Sequence, residues 1–88
     1  MKLEVRKMSE DITYVGYFSK EYTEYVEVIR CWDRDFTGEL RKFYRVDFSY
    51  RTVSTLNRTK AEALSYAKKY MRFKKDQDMA YRKIMQDK

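Results

Sequence analysis

The hydrophobic period changes once along the chain, and the change divides it into two kinds of structure. Up to about Val53 apolar and aromatic residues alternate with polar ones, and Val, Ile, Tyr, Phe and Thr dominate. That is the pattern of half-buried strands. After Asn57 the run Thr59-Lys60-Ala61-Glu62 has the form of a capping box, in which the Thr59 hydroxyl accepts from the Glu62 N–H and the Glu62 carboxylate reaches back to the N–H of Thr59. Helix formers then continue to about Gln86 with no glycine or proline to stop them.

The expected strands are Lys2–Met8, Ile12–Ser19, Tyr22–Asp33 and Glu39–Val53. They are separated by Ser9-Glu10-Asp11, Lys20-Glu21 and Arg34-Asp35-Phe36-Thr37-Gly38, and breaks this short favour sequential antiparallel pairing. With 88 residues there is one domain, residues 1–88. The expectation is an α+β fold: an antiparallel meander sheet of three or four strands, about residues 2–53, packed on one long C-terminal helix, about residues 60–86. Such a helix is ~40 Å long, more than a small domain is wide. Ala63, Leu64, Tyr66, Ala67, Tyr70 and Met71 offer an apolar face to the sheet. The face thins at Lys74–Asp78, read as a hinge or an exposed turn of helix, and returns at Met79–Met85. That far end is expected to overhang or to meet another molecule, which leaves room for a homodimer through the C-terminal helix.

Much chemistry is set aside by composition. There is no histidine and only one cysteine, so neither a zinc set nor a Cys–His pair exists, and Gly16 and Gly38 stand too far apart for a phosphate loop. Asp33, Asp35 and Asp47 lie near lysines and arginines, but carboxylates at hairpin ends are ordinary turn formers. No catalytic residue, cofactor or metal is expected. No apolar run approaches the ~18 residues of a membrane span, and Met-Lys-Leu-Glu-Val-Arg lacks the apolar core of a signal peptide. With a lone Cys31, a cytoplasmic location is expected.

Charge is distributed unevenly. Residues 1–59 carry eleven Lys/Arg against ten Asp/Glu, and residues 60–88 carry nine against four, for a net of +6. A basic field of this kind suits a polyanion or an acidic protein surface. Lys68, Lys69, Arg72, Lys74, Lys75, Arg82 and Lys83 of the expected helix would track phosphates, with Lys68, Arg72 and Lys75 on one side, or form an ordinary exposed face.

The segment Phe36–Arg51 alternates strictly enough to raise a question of register. If Ile29 opposes Tyr44, then Trp32 meets Arg41 and Arg30 meets Phe43, two cation–π pairs on the polar face, with Cys31 buried beside the Lys42 stem. A slip by one residue sends Trp32 to the core and sets Glu27 opposite Asp47. Cross-strand pair energies favour the first arrangement. The open face then displays Arg30, Trp32, Arg41, Phe43, Arg45 and Arg51, with Asp47 and Ser49 among them: guanidinium forks and rings suited to phosphates and bases.

The order of these parts, Arg30-Cys31-Trp32, the Thr37-Gly38 turn, Arg41 to Arg51 and then RTKAEALSYAKKY, resembles the three-stranded-sheet-plus-helix DNA-binding domains of phage integrase arm-binding regions and plant ethylene-response-factor proteins. The likeness covers roughly residues 22–71. It implies that Arg30, Trp32, Arg41, Phe43 and Arg45 lie on a hairpin facing the major groove. The functional expectation is therefore non-catalytic nucleic-acid binding, to duplex DNA, through an Arg/aromatic sheet face and a basic helix. The alternative is a small phage or mobile-element regulator or inhibitor that docks on a protein or nucleoprotein complex through the same face.

Overall fold

The computed structural model describes residues 2–48 and 51–86, the side chains of residues 51–55 excepted. The elements are β1 (Glu4–Lys7), β2 (Ile12–Phe18), β3 (Thr23–Arg34), β4 (Leu40–Phe48), β5 (Arg51–Asn57) and α1 (Lys60–Gln86). The strands form one sheet in chain order, each antiparallel to the next. The antiparallel sheet and the C-terminal helix are those expected from the alternation and the cap, but the sheet has five strands. The stretch read as a single strand, Glu39–Val53, is two: β4 stops at Phe48, and β5 returns with Arg51 opposite Phe48. Ser49 and Tyr50, read as part of that strand, lie outside the described residues.

The register between β3 and β4 is the slipped one. Ile29 pairs with Arg45, Arg30 with Tyr44, Cys31 with Phe43, Trp32 with Lys42 and Glu27 with Asp47. Magnitudes explain the correction. The observed register sets Val26 beside Phe48 and Val28 beside Val46 on the helix side, where all four are buried. The alternative would turn both valines outward and Glu27 inward. Burying a valine is worth ~1.5–3 kcal/mol, and an unpaired carboxylate inside costs more. Cross-strand pairs contribute only ~0.2–1 kcal/mol each. The one unfavourable pair, Glu27 with Asp47, is relieved on the open face, where Arg45 Nε lies 2.8 Å from Asp47 Oδ1. Cys31 accordingly sits half-buried on the open face opposite Phe43, not in the core.

The core lies between sheet and helix: Val15, Tyr17, Tyr22, Val26, Val28, Val46, Phe48, Ala63, Ala67 and Met71, with Leu3, Tyr44, Leu64, Tyr70 and Met79 packed around it. Two alanines at helical spacing let α1 approach the sheet closely. The Thr59 hydroxyl accepts from the Glu62 N–H at 3.1 Å, so the helix begins at the expected cap. From there α1 runs antiparallel to β3. Lys60 lies beside Arg30 and Tyr44, Lys74 is 3.6 Å from Glu24, and the Arg82 guanidinium donates to the Glu21 carbonyl.

Lys74–Asp78 is continuous helix and not a hinge, with Asp76 and Gln77 exposed and Lys74, Lys75 and Asp78 half-buried. The Tyr22 hydroxyl donates to Asp78 Oδ2 at 2.5 Å, Lys74 Nζ donates to the same oxygen at 2.7 Å, and Arg82 stands 5.4 Å from the Tyr22 ring centroid. This polar latch fastens the helix where its apolar face thins. Burial opposes ionisation of Asp78, but the hydrogen bonds from Lys74 and Tyr22 and the charges of Lys74 and Arg82 outweigh it and hold the carboxyl below its ordinary range. Burial first, and then the Asp78 carboxylate, push the Tyr22 phenol upward.

Sheet and helix are offset. Past the latch, Tyr81, Ile84 and Met85 are at least half exposed, because no strand lies beneath them. At the opposite end the β3–β4 hairpin projects beyond the start of α1, which leaves Trp32 63% exposed on the helix side. The molecule is 55 Å along its longest axis and 17 Å along its shortest.

Gly16 is needed for a close approach. It pairs with Tyr25 across β2 and β3, and a Cβ at this position would collide with the Glu24 carbonyl oxygen and the Tyr25 Cα. Gly16→Ala is therefore expected to destabilise the fold by at least about 1–3 kcal/mol, seen as a lower urea midpoint with an unchanged slope. An unaltered midpoint would show that the strands shift freely.

The latch carries a pH signature. A carboxyl depressed in the folded state contributes stability above its unfolded value of ~3.9, lost as pH falls through the folded value. A phenol raised in the folded state contributes stability below ~10, lost as pH rises beyond it. Urea midpoints measured against pH are expected to fall at both ends for the native chain, and Asp78→Asn is expected to flatten both limbs. Identical profiles would deny the latch any share in stability.

Candidate nucleic-acid interface

Two surfaces contain the residues singled out by sequence, and the register decides which residue lies on which. The open face of the sheet displays Glu4 and Arg6 of β1, Ile12, Tyr14, Gly16 and Phe18 of β2, Tyr25, Glu27, Ile29, Cys31 and Asp33 of β3, and Arg41, Phe43, Arg45 and Asp47 of β4. Arg41, Phe43 and Arg45 thus stand on the open face as expected. Arg30 and Trp32 stand on the helix side, one residue out of phase. Arg51 opens β5, and its side chain lies outside the described residues, as does Ser49.

The open face is aromatic and charge-balanced. Tyr25 lies over the gap at Gly16, stacked on Tyr14 at 4.6 Å and on Phe18 at 5.6 Å, and the Arg6 guanidinium caps Phe18 at 4.0 Å. Its arginines Arg6, Arg41 and Arg45 are each paired with carboxylates. Arg6 meets Glu4 at 3.1 Å, Arg41 meets Asp35 and also Glu39 at 3.4 Å, and Arg45 meets Asp47. Salt-bridged guanidiniums offer phosphates little net charge.

The helix side differs. Arg30 is paired with Asp11 at 2.7 Å, Lys74 is held in the latch, and Lys75 lies 5.3 Å from the Tyr17 ring centroid. Lys42, Arg58, Lys60, Lys68, Lys69, Arg72 and Lys83 have no carboxylate partner among the described residues. Lys68, Arg72 and Lys75 share the helix flank that lies over β2, while Tyr66, Tyr70 and Phe73 share the opposite flank, with Tyr66 and Tyr70 both against Phe48.

At the free end of β4 a cleft of about 280 Å³ is lined by Asp35, Phe36, Arg41, Lys42, Phe43 and Arg58. Asp35 and Phe36 belong to the turn Asp35–Glu39. Asp35 Oδ1 accepts from the Thr37 hydroxyl and from the N–H groups of Thr37 and Glu39, while Oδ2 accepts from Arg41. Gly38 adopts φ 86°, its N–H donates to the Asp35 carbonyl, and Arg34 donates to the Gly38 carbonyl. The Asp35 carboxyl is lowered to about 2, first by the Thr37 hydroxyl, so this turn stays ionised and locked at any ordinary pH. Phe36 rides on it, 93% exposed.

Phe36, Lys42, Arg58 and Lys60 are residues of these surfaces that the sequence alone did not single out. A signal existed for two of them. Phe36 is a large apolar residue inside a turn, and Lys42 breaks the apolar alternation of its strand. Among the described residues no group of three or more His, Cys, Asp or Glu is placed to hold a metal ion. Among the described residues no helix is long and apolar enough to cross a membrane. No protein-family model, no curated protein and no solved structure matches the chain.

Proposed function

We propose that this chain is a non-catalytic nucleic-acid-binding protein whose phosphate contacts lie on the helix side. One observation carries the reading: the open face balances its charge, whereas the helix and the tip end of the hairpin hold cations with no carboxylate partner among the described residues. Counterion release by such groups supplies sequence-independent affinity. This moves the weight from Arg41 and Arg45, where sequence placed it, to Lys68, Lys69 and Arg72. Arg41 and Arg45 would position the hairpin and the sheet through their carboxylate pairs.

A second reading has its own support. The ladder Phe18–Tyr25–Tyr14, with Ile29 and Phe43 beside it, is a half-buried aromatic surface of the kind that enters protein interfaces. In that case the chain docks on a protein or nucleoprotein complex through the open face, and Tyr25 would be its anchor.

Fluorescence anisotropy with labelled DNA at two salt concentrations separates the two. Under the first reading, affinity falls steeply with salt. The Lys69→Ala/Arg72→Ala double variant is expected to flatten the log–log slope by about 2 for duplex DNA, whereas Arg45→Ala leaves the slope unchanged. Equal losses for the two variants would point to a diffuse basic surface, and absence of binding at low salt would remove the first reading and favour the second.

A further inference from the structure

Resting on the nucleic-acid reading, we propose that the cleft at the free end of β4 receives an unpaired nucleotide, so that the protein prefers single-stranded nucleic acid to duplex. The pairing pattern makes the cleft. β5 accompanies β4 only as far as Tyr44, opposite Asn57, so Arg41, Lys42 and Phe43, which line the cleft, have no strand paired on that edge. The Asp35 N–H donates to the Glu39 carbonyl across the hairpin. By the alternation of an antiparallel ladder, the N–H and C=O of Lys42 then point away from β3, toward the cleft.

Three features of the lining converge on one nucleotide. Lys42 and Arg58 bring two cations without carboxylate partners among the described residues, suited to a phosphate. Phe36 brings an exposed ring, and Phe43 closes the inner wall. Asp35, the one acid present, has both oxygens engaged by the turn and by Arg41, so its charge is answered before any ligand arrives. The volume lies just below the range of small-molecule sites, room for one nucleotide.

The choice of an unpaired nucleotide follows from Phe36. A base within a duplex has both faces covered by its neighbours, whereas an unpaired base can lay one on an aromatic ring. The hydrogen-bonded turn fixes the backbone that carries the ring, so stacking has to order only the Phe36 side chain. Trp32, opposite Lys42 on the helix side, offers a second exposed ring one strand away, and a strand leaving the cleft in that direction next meets Lys60 at the start of α1.

The test compares a labelled oligothymidine, its abasic counterpart and a duplex at one low salt concentration, with Trp32 fluorescence as a second readout. The oligothymidine is expected to bind most tightly and to change the emission of Trp32, the only tryptophan. Phe36→Ala, at a surface position that does not endanger folding, is expected to weaken oligothymidine binding about 5- to 100-fold and to leave the abasic strand and the duplex unaffected. Arg58→Ala is expected to weaken oligothymidine and abasic strand alike. If duplex and oligothymidine bind equally and Phe36→Ala changes neither, the cleft proposal is overturned while nucleic-acid binding stands. If no probe binds, both fall.

Discussion

Val26 and Val28 face the helix from the middle strand of the sheet, and the rest of the molecule follows from that choice of side. With both inside, Val46 and Phe48 must pair with them, the register of the long hairpin is set, and each residue of β3 and β4 is assigned to a face. Glu27 and Cys31 go to the open side, and Arg30 and Trp32 go to the helix side. Because the side-chain period of a strand is two, no intermediate arrangement exists. The aromatic ladder on one side and the unpartnered cations on the other are consequences of two buried valines.

The second determinant is the offset between layers. α1 begins only after the chain has traversed all five strands, and the cap at Thr59 places its first turn beside Arg30 and Tyr44, well short of the hairpin tip. Twenty-seven residues then carry it past the other end of the sheet. Each end is therefore a single layer: sheet without helix around Trp32 and Phe36, helix without sheet around Tyr81 and Ile84. A small domain with fully covered layers would have had no place for such rings to stay in water.

Much of this was legible in the residues. The change of hydrophobic period located sheet and helix, the capping box located the start of α1, and the absence of glycine and proline carried it to Gln86. Two features were not legible. The reversal between Phe48 and Arg51 has no Gly, Pro, Asn or Asp to announce it, and the alternation runs on through it, so β4 and β5 read as one strand. The β3–β4 register was weighed on cross-strand pairs, whose small energies lose to burial, and that misplaced Arg30, Trp32 and Cys31. The latch joins Tyr22 to Asp78 across 56 positions of sequence, a contact that no local pattern encodes.

The latch also divides the helix into unequal parts. From Ala63 to Met71 the helix is held by buried apolar contacts, from Lys74 to Arg82 by hydrogen bonds and charge, and beyond Arg82 by little more than its own backbone. Opening of the helix from its C-terminal end thus proceeds in three steps of rising cost, and the amide protons should report it as three tiers of exchange protection. Ligands that engage only the last tier would leave the sheet untouched, whereas any that pull on Asp78 would reach, through Tyr22, the strand at the centre of the fold.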